Sequence, residues 1–132
     1  MIAPRKRRIE EITTLSEPIF SEAQARHFQE GIDEFNRGDY HSAHESWEEA
    51  WREMDSDAEI FLRGLVQFAA AHHCLSTLRL ECAARNFKKA HEKLRLAPPR
   101  FMGFNVATML RFIEQFQATS DTSLRYKLHL QP

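Results

Sequence analysis

From Ser21 to Phe116 the apolar side chains recur at steps of three and four, and short polar or proline-containing breaks cut the pattern. That spacing buries one stripe of a helix, whereas a half-buried strand would need alternation in twos. The breaks at Asn36-Arg37-Gly38-Asp39, Asp55-Ser56-Asp57 and Pro98-Pro99 are so short that successive helices must fold back on one another. The expected fold is all-α, a compact bundle of about five helices arranged as antiparallel helical hairpins. Composition agrees: four Gly and five Pro are too few to punctuate a many-stranded sheet, and ten Phe and two Trp supply bulk for a core.

The elements can be placed one by one. Ser21-Glu22-Ala23-Gln24 has the form of a capping box, and Phe28, Ile32 and Phe35 follow it on one face, with a stop at Gly38. Asp39 is placed to cap a second helix from Tyr40 to Met54, whose stripe is Tyr40, Ala43, Trp47, Ala50, Trp51 and Met54. Ser56 and Glu59 share capping-box spacing ahead of a third helix reaching Leu78. Leu62, Leu65, Val66, Phe68 to Ala71 and Leu75 cover nearly its whole circumference, which places it centrally. A fourth helix is expected over 82–96, carrying Ala83, Phe87, Ala90 and Leu94, and a fifth after Asn105, burying Met109, Leu110, Phe112, Ile113 and Phe116. Residues 1–20, with the basic run Arg5 to Arg8, are expected to form a flexible arm, 21–119 a single helical domain and 120–132 a frayed tail.

A net charge of -1 over 132 residues gives no reason to expect a nucleic-acid partner. The most apolar stretch, Phe61 to Leu80, is interrupted by Arg63, Gln67, His72, His73 and Arg79, so no membrane span or membrane partner is expected. Ile9-Glu10-Glu11 follows the basic run where an export signal would be apolar, and the expected location is cytoplasmic. Cys74 and Cys82 lack metal-ligand spacing and sit in apolar sequence, which reads as two buried thiols of a reducing compartment.

Chemistry concentrates on the second helix. His44, Glu48 and Trp51 lie along one side at the border of its apolar stripe. An imidazole and a carboxylate one turn apart can ligate a divalent metal ion, and the indole can wall off water. Two ligands are too few for zinc, so others must come from elsewhere; folding back about Ser56 brings residues near 67–72 level with 41–45 and makes Gln67, His72 and His73 candidates. Glu45 and His41 point further toward solvent and rank below them, Glu45 being retained as a lower-ranked ligand or a neighbouring base. The competing reading is a buried network in which His44, Glu48 and Gln67 satisfy one another and fix helix register. His91 and His129 read as rim or tail residues. No reaction is assigned. His44-Glu45-x-x-Glu48 has Glu where a zinc protease needs its second His, position 41 is His where a di-iron bundle needs a carboxylate, and no phosphate loop or nucleophile elbow is present.

An internal repeat is also visible. Ala43-x-x-x-Trp47-x-x-Ala50 and Ala83-x-x-x-Phe87-x-x-Ala90 lie forty residues apart, and Gly31, Gly38 and Tyr40 precede the first copy as in a tetratricopeptide repeat. Small residues let paired helices approach while the aromatic fills the gap, as in any stack of helical hairpins. The alternative function is therefore a non-enzymatic helical module for a protein partner or homo-oligomerisation.

Phe35-Asn36-Arg37-Gly38-Asp39-Tyr40 running into Ala43-His44-Glu45-x-x-Glu48-x-x-Trp51, then Phe61-Leu62-Arg63-Gly64-Leu65-Val66-Gln67 and Gly103-Phe104-Asn105-Val106, resemble the domain-of-unknown-function 309 family of small helical proteins. The resemblance implies a His-x-x-x-Glu-x-x-Trp motif suspected of metal binding, here His44, Glu48 and Trp51, and no assigned reaction. The chain departs from the family between the third and fourth helices, where Leu80-Glu81-Cys82-Ala83 replaces Gly-containing sequence.

Overall fold

The computed structural model describes residues 14–52, 54 and 56–130. Its order is α1 (Glu22–Asn36), α2 (Tyr40–Trp51), α3 (Glu59–Ser76), α4 (Leu80–Leu94), β1 (Arg100–Phe101), β2 (Phe104–Asn105) and α5 (Val106–Thr119). The five helices among the described residues make an all-α bundle in which α1 packs on α2, α2 on α3 and α3 on α4, each pair being adjacent in the chain. The central position expected of the third helix is observed, since Ile60, Phe61, Leu62, Leu65, Phe68, Ala69 and Ala71 are all fully buried.

Local chemistry explains most boundaries. Ser21 closes a full capping box with Gln24, Asp39 accepts from the Ser42 N–H, and Asn105 accepts from the Thr108 N–H. The box expected at Ser56 is not formed: Ser56 Oγ accepts from Ala58 N–H instead, and α3 starts at Glu59, which is buried and ion-paired with Arg63 at 3.5 Å. Helix α4 begins two residues earlier than expected, because the turn before it is tighter than the sequence suggested. Between Pro99 and α5 a two-residue hairpin pairs Arg100 with Asn105 and Phe101 with Phe104. Met102 and Gly103, both at positive φ, make its turn.

The α1–α2 and α3–α4 connections are the same turn. The N–H groups of Gly38 and Asp39 donate to Phe35 and Glu34 carbonyls, and those of Leu78 and Arg79 donate to Leu75 and Cys74 carbonyls, the two-bond stop that requires a left-handed residue. Gly38 (φ +84°) supplies it in the first case and Leu78 (φ +57°) in the second. The helix-packing pattern repeats with it, Ala43, Trp47 and Ala50 matching Ala83, Phe87 and Ala90, all fully buried.

Two expectations need correction. Residues 14–20 of the expected arm are docked: Leu15 is buried with its N–H on the Leu96 carbonyl, and the Glu17 carboxylate accepts from Met102 N–H. The basic run Arg5 to Arg8 lies outside the described residues. The expected frayed tail is a strap, because Leu128 is buried and the Asn36 side-chain amide holds both its N–H (2.8 Å) and its C=O (2.7 Å). Neither segment has helical or strand periodicity, so a few isolated anchors carried no signal in the sequence.

Candidate functional site

The helical stripe of α2 divides its residues as their spacing requires. Trp47 is fully buried and its indole N–H donates to the Phe28 carbonyl at 3.1 Å. Gly31 makes room for it, since a Cβ there would stand 2.3 Å from Trp47 Nε1. One turn around the helix, at the rim, His44 Nε2 and Glu48 Oε1 are 2.6 Å apart, both half-exposed. With a carboxylate as acceptor the imidazole donates through Nε2–H, which leaves Nδ1 as the ring nitrogen with a lone pair to offer. His41 and Glu45 repeat the arrangement at 2.7 Å, further out in solvent as their angles on the helix require.

A cleft of about 200 Å³ opens where α2 meets α3 and the start of α4. Tyr40, His41 and His44 form one wall, Ala70, His73 and Cys74 the second, and Arg79, Cys82 and Asn86 the third. The rings of His41 and His44 lie 6.4 Å apart across the first wall. Burial pushes the Tyr40 phenol above its ordinary pKa, against the opposing charge and hydrogen bond of Arg125. A larger hollow, about 390 Å³, lies between Ser21 and Arg52 with a single imidazole, His27, which pairs with Glu30 at 3.5 Å, whereas the first cleft gathers His41, His44 and His73. The histidine cleft is therefore the better candidate.

The sequence-derived candidates separate in space. His44 and His73 line the cleft, His73 being exposed on the wall opposite His44, and Glu48 reaches it only through its contact with His44. Gln67 does not join them, because its Oε1 accepts from Lys93 Nζ at 2.8 Å between α3 and α4. The network expected between His44, Glu48 and Gln67 is thus reduced to its first two members. The α3 residues that meet 40–44 of α2 across the cleft are 70, 73 and 74, within about two residues of the register expected from folding back about Ser56, and Gln67 is lost to the site because it faces α4. Glu45 is committed to His41, and Trp51 packs half-buried against the core without lining the cleft.

His72, one residue from His73, is fully buried. Its Nδ1–H donates to the Phe68 carbonyl (2.9 Å), its Nε2 accepts the Tyr126 N–H (3.1 Å), and Phe112 stacks on its ring at 5.5 Å. Burial, with Arg125 and Lys127 nearby, lowers its pKa to about 4 against the hydrogen bond it donates to Phe68, so the ring is neutral and both nitrogens are spent. It pins the C-terminal strap to α3 and is not a ligand.

The two cysteines are not separate thiols. Cys74 and Cys82 form a disulfide across the α3–α4 turn, with Cα atoms 5.8 Å apart, and it lines the cleft. A spacing of eight residues became bridgeable only because Leu78 adopts the left-handed turn, which nothing in its side chain announces. Among the described residues no three His, Cys, Asp or Glu side chains are arranged to hold a metal ion.

The fold and this cleft define a stack of two helical hairpins with a histidine-lined site on its flank. Residues 28–86, which run from the middle of α1 through α2 and α3 to the first turns of α4, match the family model described as Domain of unknown function (DUF309), in agreement with the motif resemblance. No curated protein matches the chain. No helix of the described residues is long and apolar enough to cross a membrane.

Proposed function

We propose that the chain is a helical binding module whose working site is the His44 cleft and whose ligand class is a divalent transition-metal ion held through imidazole nitrogen. The observation that carries this reading is the 2.6 Å contact between His44 Nε2 and Glu48. Metal-bound histidines characteristically donate their other ring N–H to a carboxylate, which fixes the tautomer and raises the basicity of the coordinating nitrogen. Glu48 is then the partner that orients His44, not a second ligand. His73 on the facing wall is the second donor, with His41 beside it, and water completes the coordination. Glu45 and Gln67 leave the donor set because His41 and Lys93 occupy them. A site of two imidazoles and water is consistent with the absence of a three-residue cluster among the described residues, and it implies modest affinity.

Calorimetric titration of zinc, manganese and iron(II) into untagged protein, kept in its disulfide form so that thiols do not compete, tests the proposal. His44→Ala should remove the binding and Glu48→Gln should weaken it by roughly 10–100-fold. Equal binding by wild type and His44→Ala would refute it.

A second reading, a protein partner or homo-oligomer, is favoured by Leu78 and Leu80, which are 79% and 42% exposed on either side of Arg79. Light scattering of wild type and Leu78→Ser separates it: a monodisperse monomer in both excludes the homo-oligomer.

A further inference from the structure

We propose that Cys74 and Cys82 are a redox-active pair, a thiol–disulfide exchange site that takes a low-molecular-weight thiol or its disulfide as substrate. The two sulfurs are unlike in access. Cys74 is 3% exposed, whereas Cys82 is half-buried and lines both the histidine cleft and a second open hollow of about 290 Å³ on the other side of the α4 start. Cys74 borders the histidine cleft alone and is nearly covered there, so an incoming thiol has two approaches to Cys82 and Cys74 is the more shielded sulfur.

The surroundings of Cys82 suit a thiolate. It is the third residue of α4, within the first turn, where N–H groups lack helical partners and no side chain caps them. Arg79 and Arg85 share its hollow, with Glu81 as the opposing charge. The Asn86 amide Nδ2, which donates to the Cys82 carbonyl at 3.0 Å, also lies 3.6 Å from Cys82 Sγ and 3.9 Å from Cys74 Sγ, so its second N–H is within reach of either sulfur. The turn that the bridge closes has a left-handed Leu78 in place of glycine, a conformation costing about 1 kcal/mol or more, and reduction releases the covalent constraint on it.

The exchange balances as follows. A small thiolate attacks Cys82 Sγ; the Cys74–Cys82 bond breaks, its electron pair goes to Cys74 Sγ, and that sulfur takes up a proton. A second small thiolate attacks the mixed disulfide at its own sulfur, releasing the small-molecule disulfide and leaving Cys82 as thiolate or thiol. Two small thiols lose two electrons and the protein bridge gains them; the reverse sequence oxidises the pair.

Glutathione is the probe, and mass spectrometry after acid quenching is the readout. The folded, oxidised protein should be reduced by glutathione without unfolding, passing through a mixed disulfide at Cys82. In the reduced protein, limiting iodoacetamide should label Cys82 at least about tenfold faster than Cys74. Arg79→Gln with Arg85→Gln should slow the labelling of Cys82 several-fold at unchanged melting temperature. The proposal is overturned if reduction occurs only as the protein unfolds, if Cys74 is labelled as fast as Cys82, or if Cys82 reacts no faster than cysteine in an unstructured peptide. Cys74→Ser should retain the mixed disulfide at Cys82; wild-type labelling decides the matter should that variant not fold.

Discussion

The two hairpins of this bundle are near copies in backbone and packing, yet they differ at every position that carries chemistry. Position by position, forty residues apart, the packing side chains correspond: Ala43 with Ala83, Trp47 with Phe87, Ala50 with Ala90. Even volume is exchanged within the pattern, since Gly31 faces the larger Trp47 and the position matching Gly31 is Ala71. The site residues have no such echo. His44, Glu48 and Trp51 correspond to Ala84, Lys88 and His91, and His73 to Asp33. The cross-hairpin fastening differs as well: Glu34 accepts from Ser46 in the first copy, and the matching positions in the second are Cys74 and Asn86 beside the disulfide. Packing alone would have allowed both copies the same rim, so the residues confined to one copy are those to suspect of function.

The largest expected effects concern the packing that the hairpins share. Gly31→Ala should destabilise by about 3 kcal/mol, because the new methyl overlaps a rigid, fully buried indole. Adding Trp47→Phe, which recreates the Ala and Phe pairing of the second copy, should recover much of that loss in denaturant unfolding. No recovery would mean that the equivalence of the copies is superficial.

Next comes a residue that breaks the copy inside the core, His72 standing where the first hairpin has Ile32. Its folded pKa of about 4 lies below the unfolded value near 6.5, so the unfolded chain binds the extra proton first. Stability from this group is complete above pH 6.5 and is lost as pH falls toward 4, on the order of 3 kcal/mol in all. The acid slope of unfolding free energy should flatten over that window in His72→Phe.

Smaller effects belong to the turns. Leu78→Gly should stabilise and Gly38→Leu destabilise by about 1 kcal/mol each, the latter through backbone strain alone since a Cβ at Gly38 meets nothing within 4 Å. Arg79→Asp, installing the cap that Asp39 provides in the first copy, should add about 0.5–1 kcal/mol. If Leu78→Gly brings no gain, Leu78 is not the strained counterpart of Gly38 that the shared turn implies.

What could be read before the structure follows the same division. Helices, three of their side-chain caps and the repeat were legible because periodicity and cap chemistry are local. Assigning His73 to the cleft and His72 to the core required knowing which way adjacent residues of α3 point once α2 and the C-terminal strap are packed on it. Gln67 was misplaced because it faces α4 and Lys93 and not α2, and the disulfide was hidden by a left-handed leucine. Anchors such as Leu128 and Leu15 are long-range and solitary, and leave no pattern.

The most direct test of the claim that the unshared rim is the working site is a zinc titration followed through the imidazole nitrogens of all seven histidines by 1H–15N correlation. Shifts confined to His44 and His73, with His41 as the nearest follower and His72 unmoved, are the expected result. A perturbation spread evenly over His27, His91 and His129, or absent from His44, would contradict it.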